Sequence, residues 1–219
     1  MLIVAGADVF FRPTDTFTIA YDPLRIAAAY GVAYGAAVGV LGRISGGHFN
    51  PAVTIAHWAT HRLGMFDTLL YSAAQLGGAS AAAYALRLVV PASSARAVLL
   101  GPPSLAAGVT RGPAVLIEAA MTFALVLALW ATIASRTKPR YWLAGIVAGM
   151  VVTAAAFAGG PFTGGSMNPA RAFGPALAAR QWAYQAIYWI GPLAGGVAAA
   201  SLYDLLFHRT HSVPEKTTR

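Results

Sequence analysis

Apolar residues run along this chain in stretches long enough to cross a bilayer, about 20 residues each. They lie at roughly 25–43, 67–90, 113–135, 141–159 and 182–207, and predict five full membrane spans. Two shorter helical stretches, about 51–60 and 169–178, are too short to span. Each opens on Asn-Pro-Ala. Pro suits the first position inside a helix, and Asn is a favoured cap just before it. These pieces predict two half-helices entering from opposite sides, tolerable only where protein or a wet cavity surrounds them. Small residues recur at four-residue spacing in Gly31, Gly35 and Gly39, in Gly145 and Gly149, and in Gly191 and Gly195. Three such runs favour a tightly packed bundle of membrane helices.

The pattern breaks at the N-terminus. Met1 to Phe11 is apolar except for Asp8, and eleven helical residues cover only about 17 Å of a roughly 30 Å core. The expectation is that this segment is the second half of a first helix. The basic cluster Arg136, Lys138 and Arg140 sits in a short loop. It sets the orientation by the positive-inside rule, with the C-terminal tail 208–219 in the cytoplasm.

Composition removes most alternatives. The chain is 58% hydrophobic and 10% charged, against roughly 25% charged for a soluble domain, so lipid is the expected solvent. A net charge of +8 invites nucleic acid, but the fifteen Lys and Arg are scattered, with no basic helix. No nucleic-acid partner is predicted. With no Cys, neither disulfides nor thiolate metal sites are possible. His57 and His61 have metal-ligand spacing, but Asp67 is the one nearby carboxylate, so no metal site is assigned. No Ser-His-Asp arrangement, paired carboxylates or phosphate loop supports an enzyme, and no cofactor is implied.

The strongest signal is duplication. Ser45-Gly46-Gly47-His48-Phe49 leads into Asn50-Pro51-Ala52, and Gly164-Gly165-Ser166-Met167 leads into Asn168-Pro169-Ala170. The copies lie 118 residues apart (168 − 50), which points to a two-fold repeated membrane protein built for transport. These phrases, their continuations Val53-Thr54 and Arg171-Ala172-Phe173-Gly174-Pro175-Ala176, and the five spans resemble the aquaporin (major intrinsic protein) family. The resemblance covers nearly the whole chain.

The resemblance implies an all-α bundle of six tilted membrane helices, the first incomplete here, with two re-entrant half-helices in an inverted repeat. It implies one channel domain over 1–219, with repeats at about 1–90 and 113–207. It also implies a homotetramer in which each chain has its own pore, seated in lipid and most simply in the cell membrane. Water and small neutral solutes would be the permeants. Asn50 and Asn168 would cap their helices and turn their NH2 groups to the pore, breaking a proton wire, while the half-helix dipoles repel cations. An arginine and half-helix dipoles excluding protons and cations is the known behaviour of aquaporin-type pores.

Counting from each motif assigns an outer constriction to Tyr30, Ala156, Gly165 and Arg171. Water-selective members typically carry Phe and His at the first two places, so this opening reads as wider and less polar. Arg171 in the first turn of a half-helix opposes the helix dipole, which argues against a structural role. Other markers favour water: Ala172 follows the arginine where glycerol-conducting relatives usually carry Asp, and Tyr188-Trp189 is the aromatic pair of water channels. Glu118, an ionisable residue mid-span, matches the buried Glu that family members use to hold the second half-helix and its loop. A counterpart is expected in the first helix. His48 matches a lining histidine on the cytoplasmic side; a hydrogen-bonded lining role is favoured over a pH gate. Gln75 reads as a packing residue. The favoured reading is a passive water channel. The alternatives are a glycerol or small-solute facilitator and a truncated, non-conducting member of the family.

Overall fold

The computed structural model describes residues 23–89, 102–133 and 139–207. The first-helix segment Met1–Phe11, loop residues 134–138 and the tail 208–219, on which expectations were placed above, lie outside the described residues. Seven helices are described: α1 (Pro23–Ser45), α2 (Pro51–Ala59), α3 (Met65–Val89), α4 (Arg111–Ile133), α5 (Tyr141–Thr163), α6 (Pro169–Ala179) and α7 (Gln185–Phe207). No strand occurs among the described residues. The order long–half–long occurs twice, as α1–α2–α3 and α5–α6–α7, with α4 ahead of the second set.

Four of these helices, α1, α4, α5 and α7, are long and apolar enough to cross a membrane. At 25 residues α3 has the length, but it carries Asp67, Gln75 and Arg87 among many Gly and Ala. Large apolar side chains are turned outward along the bundle: Val32, Ile44, Leu88 and Leu116 are all more than 70% exposed. In water such a surface would drive aggregation. In lipid it is the solvent-matched face of a multi-pass integral membrane protein.

Close packing holds the bundle. The most extensive helix pair is α1 with α5, followed by α4 with α7. A Cβ on Gly35 would run into the Gly145 carbonyl, and one on Gly145 into the Gly35 carbonyl. Backbones at that distance tolerate only glycine, and dispersion between them replaces the hydrophobic effect that is missing in lipid. Each half-helix packs on a long helix of the opposite set, α2 on α7 and α6 on α3. That exchange interlocks the two halves of the chain.

The fold corrects one predicted boundary. The fourth full span was expected to stop near 159. Instead α5 continues to Thr163 and stops at Gly164, a left-handed cap with φ 79°. Gly159 is an approach point: a Cβ there would meet Met121 and Ile117 of α4. Pro161 lies in the last turn of the helix, on its exposed side.

Candidate functional site

The repeated Gly-Gly pairs are backbone devices. Gly46, Gly47, Gly164 and Gly165 all have φ between 59° and 79°, a region that favours residues without Cβ. Gly46 N–H returns to Gly42 O and Gly164 N–H to Gly160 O, both at 2.8 Å, so each pair ends the long helix before it. The residue before each motif asparagine is also left-handed, Phe49 at φ 46° and Met167 at φ 53°. Neither is glycine, so each costs on the order of 1–2 kcal/mol. The same strained step at the same place in both loops marks it as built in.

The consequence is a shared centre. Asn50 Oδ1 accepts from Ala52 N–H at 2.9 Å, and Asn168 Oδ1 accepts from Ala170 N–H at 2.9 Å and Arg171 N–H at 3.3 Å. With the oxygens held as caps, the amide nitrogens point across the gap. Asn50 Nδ2 donates to Met167 O at 2.8 Å, and Asn168 Nδ2 donates to Phe49 O at 2.9 Å. The left-handed residues thus present their carbonyls to the opposite asparagine. The sequence reading turned both NH2 groups to a pore. In the structure one N–H of each amide is spent on this cross-bond, and one N–H of each remains. Two helix N-termini, each carrying about half a positive charge, therefore meet inside the bundle with both asparagines buried.

The two loops are held differently. Glu118, fully buried on α4, accepts from Ser166 N–H at 2.9 Å and Thr163 Oγ1 at 2.7 Å through Oε1, and from Met167 N–H at 2.7 Å through Oε2. Tyr188, also buried, donates its hydroxyl to Thr163 O at 2.9 Å and so backs the same loop. On the first loop, Thr54 Oγ1 donates to Asn50 O at 3.1 Å and accepts from Gln75 Nε2 at 2.9 Å. Its one proton is then used, so the 3.1 Å contact with His48 Nδ1 has the imidazole donating. Tyr34 donates its hydroxyl to His48 O at 2.9 Å. No acceptor among the described residues reaches the amides of His48 or Phe49, the counterparts of the two that Glu118 holds.

The four residues assigned to a constriction lie as two neighbouring pairs, Tyr30 with Arg171 and Ala156 with Gly165. The Arg171 guanidinium carbon is 5.9 Å from the centroid of the Tyr30 ring. Tyr30 donates its hydroxyl to Ser166 O at 2.5 Å. A Cβ on Gly165 would lie 3.2 Å from Ala156 Cα. A cavity of about 620 Å³ opens beside Tyr30, Tyr34, His48 and Phe49. Of the remaining marked positions, Ala172 is buried in α6, and its carbonyl accepts from Gln185 Nε2 at 3.3 Å. Trp189 is half-buried on α7. His57 does not pair with His61. Its ring stacks on His48 at 4.1 Å between centroids and lies 4.3 Å from that of Trp130.

Sequence reasoning missed Tyr34, Thr54, Thr163 and Arg87 as supporting residues, and gave Gln75 packing alone. Arg87 Nη1 donates to Ala178 O at 2.8 Å, satisfying a carbonyl at the end of α6. One of these had a visible signal: Tyr34 lies one turn after Tyr30, on the same face of α1.

Two half-helices that start at one buried centre, inside a bundle faced with apolar side chains, define a multi-pass membrane protein with a pair of re-entrant segments. The comparisons are specific about which. The model of the major intrinsic protein family matches residues 1–203. Aquaporin TIP4-4 of Zea mays is 46% identical over 164 residues, covering 75% of this chain and 64% of the maize protein. Lens fiber major intrinsic protein of Oryctolagus cuniculus is 39% identical over 194 residues, covering 88% of this chain and 73% of its own length. The aquaglyceroporin structure from Plasmodium falciparum superposes with a TM-score of 0.83 over 96% of this chain and 92% of that one. At 19% identity that likeness speaks for the fold. The chain belongs to the major intrinsic protein family. It spans under two thirds of the maize relative.

Proposed function

We propose that this protein is a passive transmembrane channel for water, with small neutral solutes as co-permeants and with protons and ions excluded. The observation that carries the reading is the cross-bonded pair of caps, Asn50 Nδ2 to Met167 O and Asn168 Nδ2 to Phe49 O. A permeant oxygen at that centre meets two amide N–H donors and two positive helix ends. It accepts there, so its own hydrogens point away along the file and a proton relay is broken. A cation meets the same two dipoles, and then Arg171, with like charge. Tyr30, Ala156, Gly165 and Arg171 form the narrow outer opening in this reading, and His48 lines the inner side. The membrane is the cell membrane, the C-terminus faces the cytoplasm, and four copies assemble with one pore each.

One observation favours glycerol as a co-permeant: Ala156 and Gly165, counted to the same constriction as Tyr30 and Arg171, offer no side chain beyond a methyl group. Stopped-flow light scattering on proteoliposomes decides, with sucrose and then glycerol as osmolyte. The expected result is fast shrinkage in sucrose with slower glycerol re-swelling. Shrinkage no faster than in empty liposomes would overturn the water-channel reading, and re-swelling as fast as shrinkage would favour the glycerol facilitator.

A further inference from the structure

Tyr30 and Tyr34 sit one turn apart on α1, both buried, and they do parallel things to different halves of the chain. Tyr30 donates to Ser166 O, the carbonyl two residues before Asn168; Tyr34 donates to His48 O, the carbonyl two residues before Asn50. The asparagines cross-bond at the neighbouring carbonyls. A closed circuit results. From Tyr30 it passes to Ser166 and Met167, across to Asn50, back along Phe49 and His48 to Tyr34, and home through one turn of α1. The helical turn that closes it is rigid, about 5–6 Å between side-chain origins. It is also fixed from outside, because α1 is locked against α5 at Gly35 and Gly145, and α5 runs directly into the second loop.

We infer that Tyr30 and Tyr34 are positioning residues: their hydroxyls close a hydrogen-bonded ring that holds both motif loops at one separation and fixes the width facing Arg171. This rests on the channel reading above. Arg171 faces the Tyr30 ring at 5.9 Å. Where that ring stands therefore sets the opening, and where it stands is set by the bond to Ser166 O. The hydroxyl of Tyr30 serves as a tether and keeps the ring from swinging aside for solutes wider than water. Tyr34, which lies outside the quartet counted from the motifs, becomes a selectivity determinant through the ring.

A ring makes a prediction that two separate tethers do not. Once it is opened at either hydroxyl, opening it at the other adds little. The test compares wild type, Tyr30→Phe, Tyr34→Phe and the double variant by the ratio of glycerol to water permeability in proteoliposomes. Thermal unfolding of all four in detergent is measured alongside. Each single variant should raise the ratio by about fivefold, the factor carried by one net hydrogen bond. The double variant should match the larger single within about twofold, and the fall in melting temperature should be equally non-additive. Single variants with an unchanged ratio overturn the proposal, as does a double variant whose ratio is the product of the singles. Should the wild type conduct no water, the channel reading fails on its own, and the unfolding cycle still decides the ring: additive shifts refute it.

Discussion

The two loops that carry the Asn-Pro-Ala motifs differ less in shape than in what holds them. Both end a long helix with a left-handed glycine, both strain the residue before the asparagine, and both cap a half-helix with an amide oxygen. The second is fastened by the buried carboxylate of Glu118, which takes two backbone amides and one hydroxyl. Among the described residues the first is fastened by neutral groups, Tyr34, His48, Thr54 and Gln75, bonded to carbonyls and to one another. A charge-assisted anchor is about twice as strong per bond as a neutral one. The shape of a half-helix start is thus a local property, while its rigidity is supplied from elsewhere. Among the described residues the second loop has the charged hold, and the first is joined to it through the cross-bonded asparagines and the tyrosines of α1.

The largest perturbation of this contrast removes the carboxylate. Glu118→Ala strands the amides of Ser166 and Met167 and the Thr163 hydroxyl in a buried site, at a cost of about 3–5 kcal/mol. Thermal unfolding in detergent should show a destabilised protein, and osmotic water flux should fall with it. Glu118→Gln, which keeps an acceptor oxygen, should recover part of both.

On the first loop the matching hub is Thr54. Thr54→Val keeps the volume but leaves His48 Nδ1 and Gln75 Nε2 without their acceptor, an expected loss of about 2–3 kcal/mol in denaturation. A loss equal to that of Glu118→Ala would mean the two supports are equivalent after all. The caps themselves come next. Asn168 holds two amides where Asn50 holds one. Asn168→Ala should therefore cost more than Asn50→Ala, both within about 0.5–2 kcal/mol for the cap alone. The smallest effect belongs to the pair Arg62–Asp204, which joins the segment after α2 to α7 at the rim of the bundle with both side chains a quarter exposed. Arg62→Ala should change stability by about 0.2–1 kcal/mol and less at high salt. A larger loss would show that the rim also holds the first half-helix.

The sequence made the half-helices legible almost to the residue. About 51–60 and 169–178 became Pro51–Ala59 and Pro169–Ala179, because Asn as cap and Pro as first residue act within one turn. Four of the five long helices were legible from apolar length alone, while α3, with Asp67, Gln75 and Arg87 among many Gly and Ala, is long without being as apolar. The end of α5 was misjudged because Gly159 satisfies a neighbour across the bundle, which no local pattern records. The same limit applies to the site. Counting from the motifs picked out Tyr30, Ala156, Gly165 and Arg171, but which way the Tyr30 hydroxyl points depends on Ser166, 136 residues away. Likewise the partners of Thr163, Tyr34 and Gln75 are set by how helices cross. Periodicity predicts which face a side chain occupies, and the packed neighbour decides which atom it meets.

The most direct test of the account measures water and protons in the same vesicles. Proteoliposomes loaded with a pH-sensitive dye are given an osmotic step and, separately, a pH step. If the shared centre of Asn50 and Asn168 works as argued, water permeability rises well above that of empty vesicles while proton flux stays at the lipid background. Proton flux that rises with protein content in step with water flux would contradict it.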